Sequence, residues 1–175
     1  MNEVILVDKN DVPLGSMEKM LAHEKALLHR AFSVFIFNSQ GEMLLQQRAD
    51  KKYHSAGLWT NACCSHPAPG EDTAEAATRR LKEELGFSTQ LNEAFTFMYR
   101  TEFENGLTEN EFDHVYTGVY DGQIVADIDE VKNYSYLPMS KIEQLITNEP
   151  SMFTSWFLIA FPKVRKWREK NSESK

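Results

Sequence analysis

The chain of 175 residues has only two cysteines, and they are neighbours, Cys63 and Cys64. Adjacent cysteines close no useful loop, so a disulfide framework is excluded and a reducing, cytoplasmic setting is expected. Long apolar runs are missing. The longest, Trp156 to Phe161, has six residues, whereas a bilayer span needs about 18–20. The amino end, Met1-Asn2-Glu3-Val4, lacks a basic stretch followed by an apolar one, so no signal peptide is expected. Positive charge is in deficit: 19 Lys and Arg against 26 Asp and Glu leave a net charge of −7. That balance disfavours non-specific binding to nucleic acid. An anionic ligand would need a local basic cluster or metal ions to meet it. Internal repeats, low-complexity segments and linkers are also lacking, so residues 1–175 read as a single domain.

What is present alternates between two periodicities. Val4 to Asp8 is short and β-branched and reads as a strand, followed by a turn at Asp11-Val12-Pro13-Leu14-Gly15. Glu18 to Leu28 suits a helix or irregular chain. Ala31 to Phe37 and Glu42 to Gln47, joined by the turn Asn38-Ser39-Gln40-Gly41, read as a hairpin. Asp50 to Leu58 is polar loop. Trp59 to Ser65 reads as one short strand entering the loop His66-Pro67-Ala68-Pro69-Gly70. The spacing of Ala74, Ala77, Leu81 and Leu85 predicts a helix over Thr73 to Leu85, with Asp72 as N-cap, Glu75 as its capping-box partner and Gly86 as C-terminal stop. Further strands are expected at Ala94 to Thr101, Val115 to Tyr120 and Val131 to Leu137, and a short helix at Ser140 to Thr147. Ser151 to Lys170 is helical in composition, but Pro162 should kink or restart it. Arg165 to Lys175 reads as a charged tail that frays, and residues up to about 29 as an N-terminal extension. The order implies an α/β protein of the α+β type, a mixed sheet with helices on its faces.

The exposed face of the Thr73–Leu85 helix carries Arg79, Arg80, Lys82, Glu83 and Glu84. Alone, these residues describe a solvated face with i,i+4 pairs such as Arg80 with Glu84. Their wider setting is more specific: Ser65, five residues, Glu71, seven residues, then Arg79-Arg80-Leu81-Lys82-Glu83-Glu84-Leu85-Gly86-Phe87. This resembles the Nudix box, Gly-x5-Glu-x7-Arg-Glu-apolar-x-Glu-Glu-x-Gly-apolar, a loop–helix–loop that brings carboxylates to a metal-bound diphosphate. Two positions depart from it. Ser65 replaces the first Gly, and Arg80 replaces a Glu expected of a hydrolytic site; an Arg there would contact phosphate directly. His23, His29 and His66 lie in three separate segments, and Glu109 and Glu111 share one side if their segment is extended. Three imidazoles and two carboxylates suit Zn²⁺, Mn²⁺, Fe²⁺ or Mg²⁺ if they converge. His54 and His114 read as ordinary structural histidines. Cys64 abuts both the box and His66, where a thiol can work as an acid or base.

Four signatures occur in order: His29-Arg30-Ala31-Phe32-Ser33, Thr60-Asn61-Ala62-Cys63-Cys64-Ser65-His66-Pro67, Arg79-Arg80 through Glu84-Leu85-Gly86, and Glu109-Asn110-Glu111. With them the chain, from about Val4 to Lys170, resembles the type I isopentenyl-diphosphate Δ-isomerases. The resemblance implies a Nudix-like fold and an isomerase of isoprenoid biosynthesis that interconverts isopentenyl and dimethylallyl diphosphate. By position it implies Cys64 and Glu111 as catalytic thiol and carboxylate, with Tyr99 hydrogen-bonded to Glu111. It implies His23, His29, His66, Glu109 and Glu111 as ligands of one Mn²⁺, Zn²⁺ or Mg²⁺. Glu84, beside the Cys64 carbonyl, would hold a second, diphosphate-bound Mg²⁺. Lys19, Arg48, Lys52 and Arg80 would contact the diphosphate, and Tyr99 and Trp156 would surround the isoprenoid tail. Cys63 is left as a small packing residue. The implied partner is a small isoprenoid diphosphate, with no nucleic acid and no membrane span, and a monomer is preferred over a dimer. The competing reading is a Nudix hydrolase of a nucleoside diphosphate derivative, which Arg80 disfavours and which gives Cys64 and the histidines no work.

Overall fold

A computed structural model describes residues 2–172. In chain order its strands and helices are β1 (Glu3–Val7), β2 (Pro13–Glu18), α1 (Lys19–Glu24), β3 (His29–Phe37), β4 (Met43–Arg48), β5 (Trp59–Asn61), β6 (Cys63–Ser65), α2 (Thr73–Leu85), β7 (Asn92–Glu102), β8 (Thr108–Val119), β9 (Val131–Leu137), α3 (Met139–Asn148) and α4 (Ser155–Ser172). This is a mixed α+β fold built on one large sheet. Among the described residues no helix is long and apolar enough to cross a membrane.

The apolar run of β3 makes it the central strand. It pairs in parallel with β8 from His29↔Glu111 to Phe37↔Val119, and antiparallel with β6 from Phe32↔Ser65 to Val34↔Cys63. A strand covered on both faces has no reason to alternate apolar with polar residues. Phe32, Val34 and Ile36 join Ala76, Ala77, Leu81 and Leu85 of α2 in one core. Phe35 and Phe37, on the opposite face, join Ile142 of α3 and Phe157, Phe161 and Val164 of α4 in a second. The sheet is thus sandwiched between α2 and the α3–α4 pair.

Helix α2 has the predicted bounds. The Asp72 carboxylate accepts from the amides of Ala74 and Glu75 at 2.9 and 3.1 Å, and Gly86 ends the helix at φ 76°. Its terminal carbonyls need donors, and the chain between β8 and β9 supplies them. The Val125 amide donates to Leu85 O at 3.1 Å and the Asp127 amide to Glu84 O at 2.9 Å, while Ala49 donates to Glu130 O at 3.0 Å. Loop 125–130 is therefore pinned between the end of α2 and the end of β4.

Several expectations change. The first turn lies earlier than Asp11–Gly15, because Asp8 Oδ1 accepts from the amides of Asn10 and Val12 at 2.8 and 3.0 Å; Pro13 already opens β2. Trp59–Ser65 is two strands, β5 on β4 and β6 on β3, split at Ala62. The strand expected at Val115 begins at Thr108. Pro162 does not break α4; it sits on the exposed side, where water can reach the carbonyl left without an amide partner. The tail expected from Arg165 is helical to Ser172, anchored by Arg165 to Glu143 and Glu169 and by the Arg168 guanidinium over the Phe37 ring at 3.7 Å; residues 173–175 lie outside the described residues.

A Cβ placed on Gly86 would overlap the Val125 carbonyl oxygen, and the positive φ is itself costly for other residues. Gly86→Ala is expected to destabilise the fold by about 1–3 kcal/mol, read as a lower urea midpoint at unchanged m-value.

Candidate active site

Strands β3 and β4 meet only at Phe37↔Met43 and then part. The gap is filled by the chain crossing from β5 to β6 at Ala62. Where the sheet parts, side chains from both of its faces reach one cavity of ≈ 90 Å³. Strand alternation places His29 and Ser33 of β3, Glu109, Glu111 and Asp113 of β8, and Cys64 of β6 on one face, since His29 is paired with Glu111 and Ser33 with Cys64. Gln46, Arg80 and Glu84 reach the same cavity from the α2 side.

At one end of the cavity the three predicted histidines meet a carboxylate. Donor atoms of His23, His29, His66 and Glu111 lie within 4.8 Å of one another. His66 Nε2 is 2.9 Å and His29 Nε2 3.5 Å from Glu111 Oε1, and His23 Nε2 is 3.3 Å from His29 Nε2. His29 Nδ1–H donates to the Leu27 carbonyl at 2.8 Å, which fixes the ring and turns Nε2 toward the cluster. Burial, helped by the neighbouring imidazoles, lowers the pKa of His23 to about 3. Burial, against the pull of Glu111, lowers that of His66 to about 4. Both rings are therefore neutral, with lone pairs to give. Burial also opposes the charged form of His29, but its bond to Glu111 outweighs this and its pKa rises. Burial would raise the pKa of Glu111, yet His66 and His29 hold it well below the usual carboxylate range. Nitrogen and oxygen donors at this density fit a divalent metal ion.

Glu109, expected as a fifth ligand, is not in this group of four. One of its oxygens is 3.3 Å from His54 Nε2, and the other lies 3.1 Å from the Tyr99 hydroxyl, which is 2.6 Å from Glu111 Oε2. Burial and the charge of Glu111 raise the pKa of Glu109. His54, by sequence an ordinary structural histidine, lines the cavity. Its ring stacks on Phe103 at 4.6 Å and meets Trp156 edge-on at 5.6 Å, so it joins the acidic end of the cavity to its aromatic wall. No motif or spacing in the polar loop Asp50–Leu58 marks it.

Cys64 lies between Asn61 and Ser33. Its Sγ is 3.1 Å from Asn61 Oδ1 and 3.5 Å from Ser33 Oγ. Ser33 in turn donates to Asp113 at 2.6 Å. Burial, reinforced by the Asp113 carboxylate, pushes the Cys64 thiol up, so its proton is retained. Cys63 faces the other way, into the α2 core, consistent with packing, and burial beside Glu84 raises its pKa.

The cavity also has a cationic lining. Lys19, Arg48, Lys52 and Arg80 all line it. Arg48 lies over the Trp156 ring at 5.1 Å, and Lys19, whose pKa burial lowers, lies over Tyr53 at 5.3 Å. Nε of Arg48 and Nε of Arg80 are buried with no hydrogen-bond partner among the described residues. Two guanidinium donors without acceptors are costly unless a ligand accepts from them. Glu84 corrects the sequence reading, which put it on the exposed face. It is 5% exposed, accepts from Gln46 Nε2 at 2.9 Å and pairs with Arg80 at 2.7 Å. Burial raises its pKa against the pull of Arg80. Gln46, Asn61, Asp113 and Glu130, which touches both Lys52 and Arg80, also bear on the site and went unassigned in the sequence.

Comparison with known proteins agrees with this geometry. Residues 27–157 match the NUDIX domain family. The chain is 51% identical over 174 residues, 99% of its length and 97% of the relative's, to an isopentenyl-diphosphate Delta-isomerase of Pectobacterium atrosepticum. It is 50% identical to another of that name from Serratia proteamaculans, over 89% of this chain and 87% of the relative. Among solved structures, a protein of Deinococcus radiodurans superposes with TM-score 0.69 at 19% identity, covering 84% of this chain and 90% of that one. A MutT protein of Methanosarcina mazei superposes with TM-score 0.64 at 19% identity, covering 82% and 95%. On sequence, fold and site together, the chain belongs to the Nudix family and, within it, to the isopentenyl-diphosphate Delta-isomerases.

Proposed function

We propose that this chain interconverts isopentenyl and dimethylallyl diphosphate by adding a proton at one carbon of an allylic unit and removing one from another. The forward reaction protonates C4, takes a proton from C2 and moves the double bond from C3–C4 to C2–C3. One observation carries the reading: a thiol and a carboxylate, Cys64 and Glu111, line a single cavity together with four cations. The reaction is reversible, so each of the two groups donates in one direction and accepts in the other. Burial keeps the proton on Cys64, while the histidines keep Glu111 anionic, and the two partners thus start in complementary protonation states. Tyr99 holds Glu111 in place. Trp156 faces the cation-like transition state with its ring, worth ~2 kcal/mol when desolvated, and orientation supplies much of the remainder.

His23, His29, His66 and Glu111, with Glu109 beside them, would hold a Mn²⁺, Zn²⁺ or Mg²⁺ ion, whose charge lowers the proton affinity of Glu111 and fixes its direction. Glu84 would hold Mg²⁺ against a diphosphate gripped by Lys19, Arg48, Lys52 and Arg80. A reducing, cytoplasmic setting keeps Cys64 a thiol. A cavity of ≈ 90 Å³ is small beside the roughly 300 Å³ or more of ordinary ligand pockets. Substrate entry therefore moves a wall. That wall is the boundary with the outer cleft of ≈ 460 Å³, which Lys19, Lys52, Tyr53, Ser65, His66 and Arg80 share with the cavity. Water exclusion follows from closing it again, which protects the cation from capture as an alcohol.

Purified protein supplied with isopentenyl diphosphate and Mg²⁺ should form the allylic isomer, followed by proton NMR. Release of phosphate from nucleoside diphosphate derivatives instead would identify a hydrolase. Cys64→Ala and Glu111→Gln should each abolish isomerisation, with metal content preserved in the first and reduced in the second; turnover by Cys64→Ala would overturn the proton-transfer assignment. Tyr99→Phe leaves Glu109 and Glu111 without a shared donor, and kcat should fall about 10–100-fold. Glu84→Gln should raise the Mg²⁺ concentration for half-maximal rate about tenfold or more, and an unchanged magnesium titration would argue against its role.

A further inference from the structure

The outer cleft beside the cavity holds a carboxylate that the isomerase reading does not use. Glu130 Oε2 forms an ion pair with Lys52 and lies 3.6 Å from Arg80. It therefore sits among the same charges that would grip the diphosphate. Its position is built rather than accidental. The Glu130 carbonyl accepts from Ala49, its amide and that of Val131 donate to Asp127 O, and Asp127 is tied to the end of α2 at Glu84 O. Strand β9 then continues the constraint, with Val131 paired to Arg48 across a register shift. A side chain on so fixed a backbone is not easily withdrawn. The cleft that Glu130 lines, alongside Lys19, Lys52 and Arg80, lies on the route from solvent.

An acid among the cations of an anion site weakens every anion, but not equally. Coulomb energy is linear in the ligand's charge. A diphosphate monoester carries about three negative charges near neutral pH, and about one once it has taken up Mg²⁺. A fixed carboxylate therefore penalises the free anion about three times as strongly, in free energy, as its magnesium complex. Resting on the proposed diphosphate role of this site, we infer that Glu130 is the specificity residue that makes the clamp take diphosphate as its magnesium complex in preference to the free anion. Glu84 attracts the metal; Glu130 rejects the ligand that lacks it. In the empty clamp the same carboxylate neutralises Lys52 and Arg80, which would otherwise repel each other.

The test is calorimetric titration of inorganic pyrophosphate into the wild type and into Glu130→Gln, in magnesium-free buffer and in saturating Mg²⁺. No turnover is needed. The variant is expected to bind free pyrophosphate about tenfold more tightly than the wild type, and the magnesium complex only about twofold more tightly, because the gain scales with ligand charge. Glu130→Ala, which also removes the charge, should give the same ratio and serves if the Gln variant is unstable. Glu130→Asp, which keeps the charge, should keep the wild-type preference for magnesium. Equal gains in both buffers, or losses in both, would overturn the inference. Failure of the wild type to bind pyrophosphate in either buffer would instead overturn the diphosphate reading beneath it.

Discussion

Glu111 is a carboxylate taken out of water, and much of the surrounding structure is arranged to make that tolerable. An isolated buried charge is prohibitive unless it is paired and hydrogen-bonded. Here the pairing comes from His29 and His66 on one oxygen and Tyr99 on the other. Parallel registry of β3 with β8 puts His29 directly beside Glu111, antiparallel registry of β3 with β6 carries the chain on to His66, and α1 brings His23 across the top. The same groups that stabilise the carboxylate also hold it ionised and aimed, so its solvation by protein is the basis of its proposed chemistry.

Charge is divided among the residues of the cavity. The histidine–carboxylate cluster is dense in donors that suit a metal ion; four cations line the same cavity, and among the described residues two of their guanidinium nitrogens lack acceptors. Helix α2 sends both signs into the site, Arg80 and Glu84, one turn apart. This division answers the difficulty posed by a net charge of −7. The overall field repels an anion, the less so when magnesium has reduced its charge, while the local field at the clamp attracts one.

Stability and site geometry share parts. Loop 125–130 satisfies the terminal carbonyls of α2 and, in doing so, sets Glu130 beside Lys52. Gly86 permits the close approach this requires. The parting of β3 from β4, which a uniform sheet would not have, opens the cavity while β5 and β6 satisfy the exposed strand edges. Features that interrupt the regular fold are the ones that make the site.

Legibility in the sequence followed locality. Helix α2 could be read to its ends because its apolar spacing, its cap and its glycine are local signals. So could the apolar run of β3, and the order of motifs sufficed for the family. The first half of β8 could not be read, because Thr108 to His114 is mostly polar, with Glu109 and Glu111 lining the cavity, and so hides its strand. Nor could the partner switch at Ala62, which depends on two neighbouring strands and leaves no periodic trace. Sequence by itself determined which chemical groups are available, and that a helix between Thr73 and Leu85 would carry Arg80 and Glu84 among them. Only the tertiary structure decided that Glu84 is buried, that Glu109 turns to His54 while Glu111 meets three imidazoles, and that Glu130 stands among the cations. Burial, proximity and pKa are set by atoms distant in sequence, and no local pattern carries them.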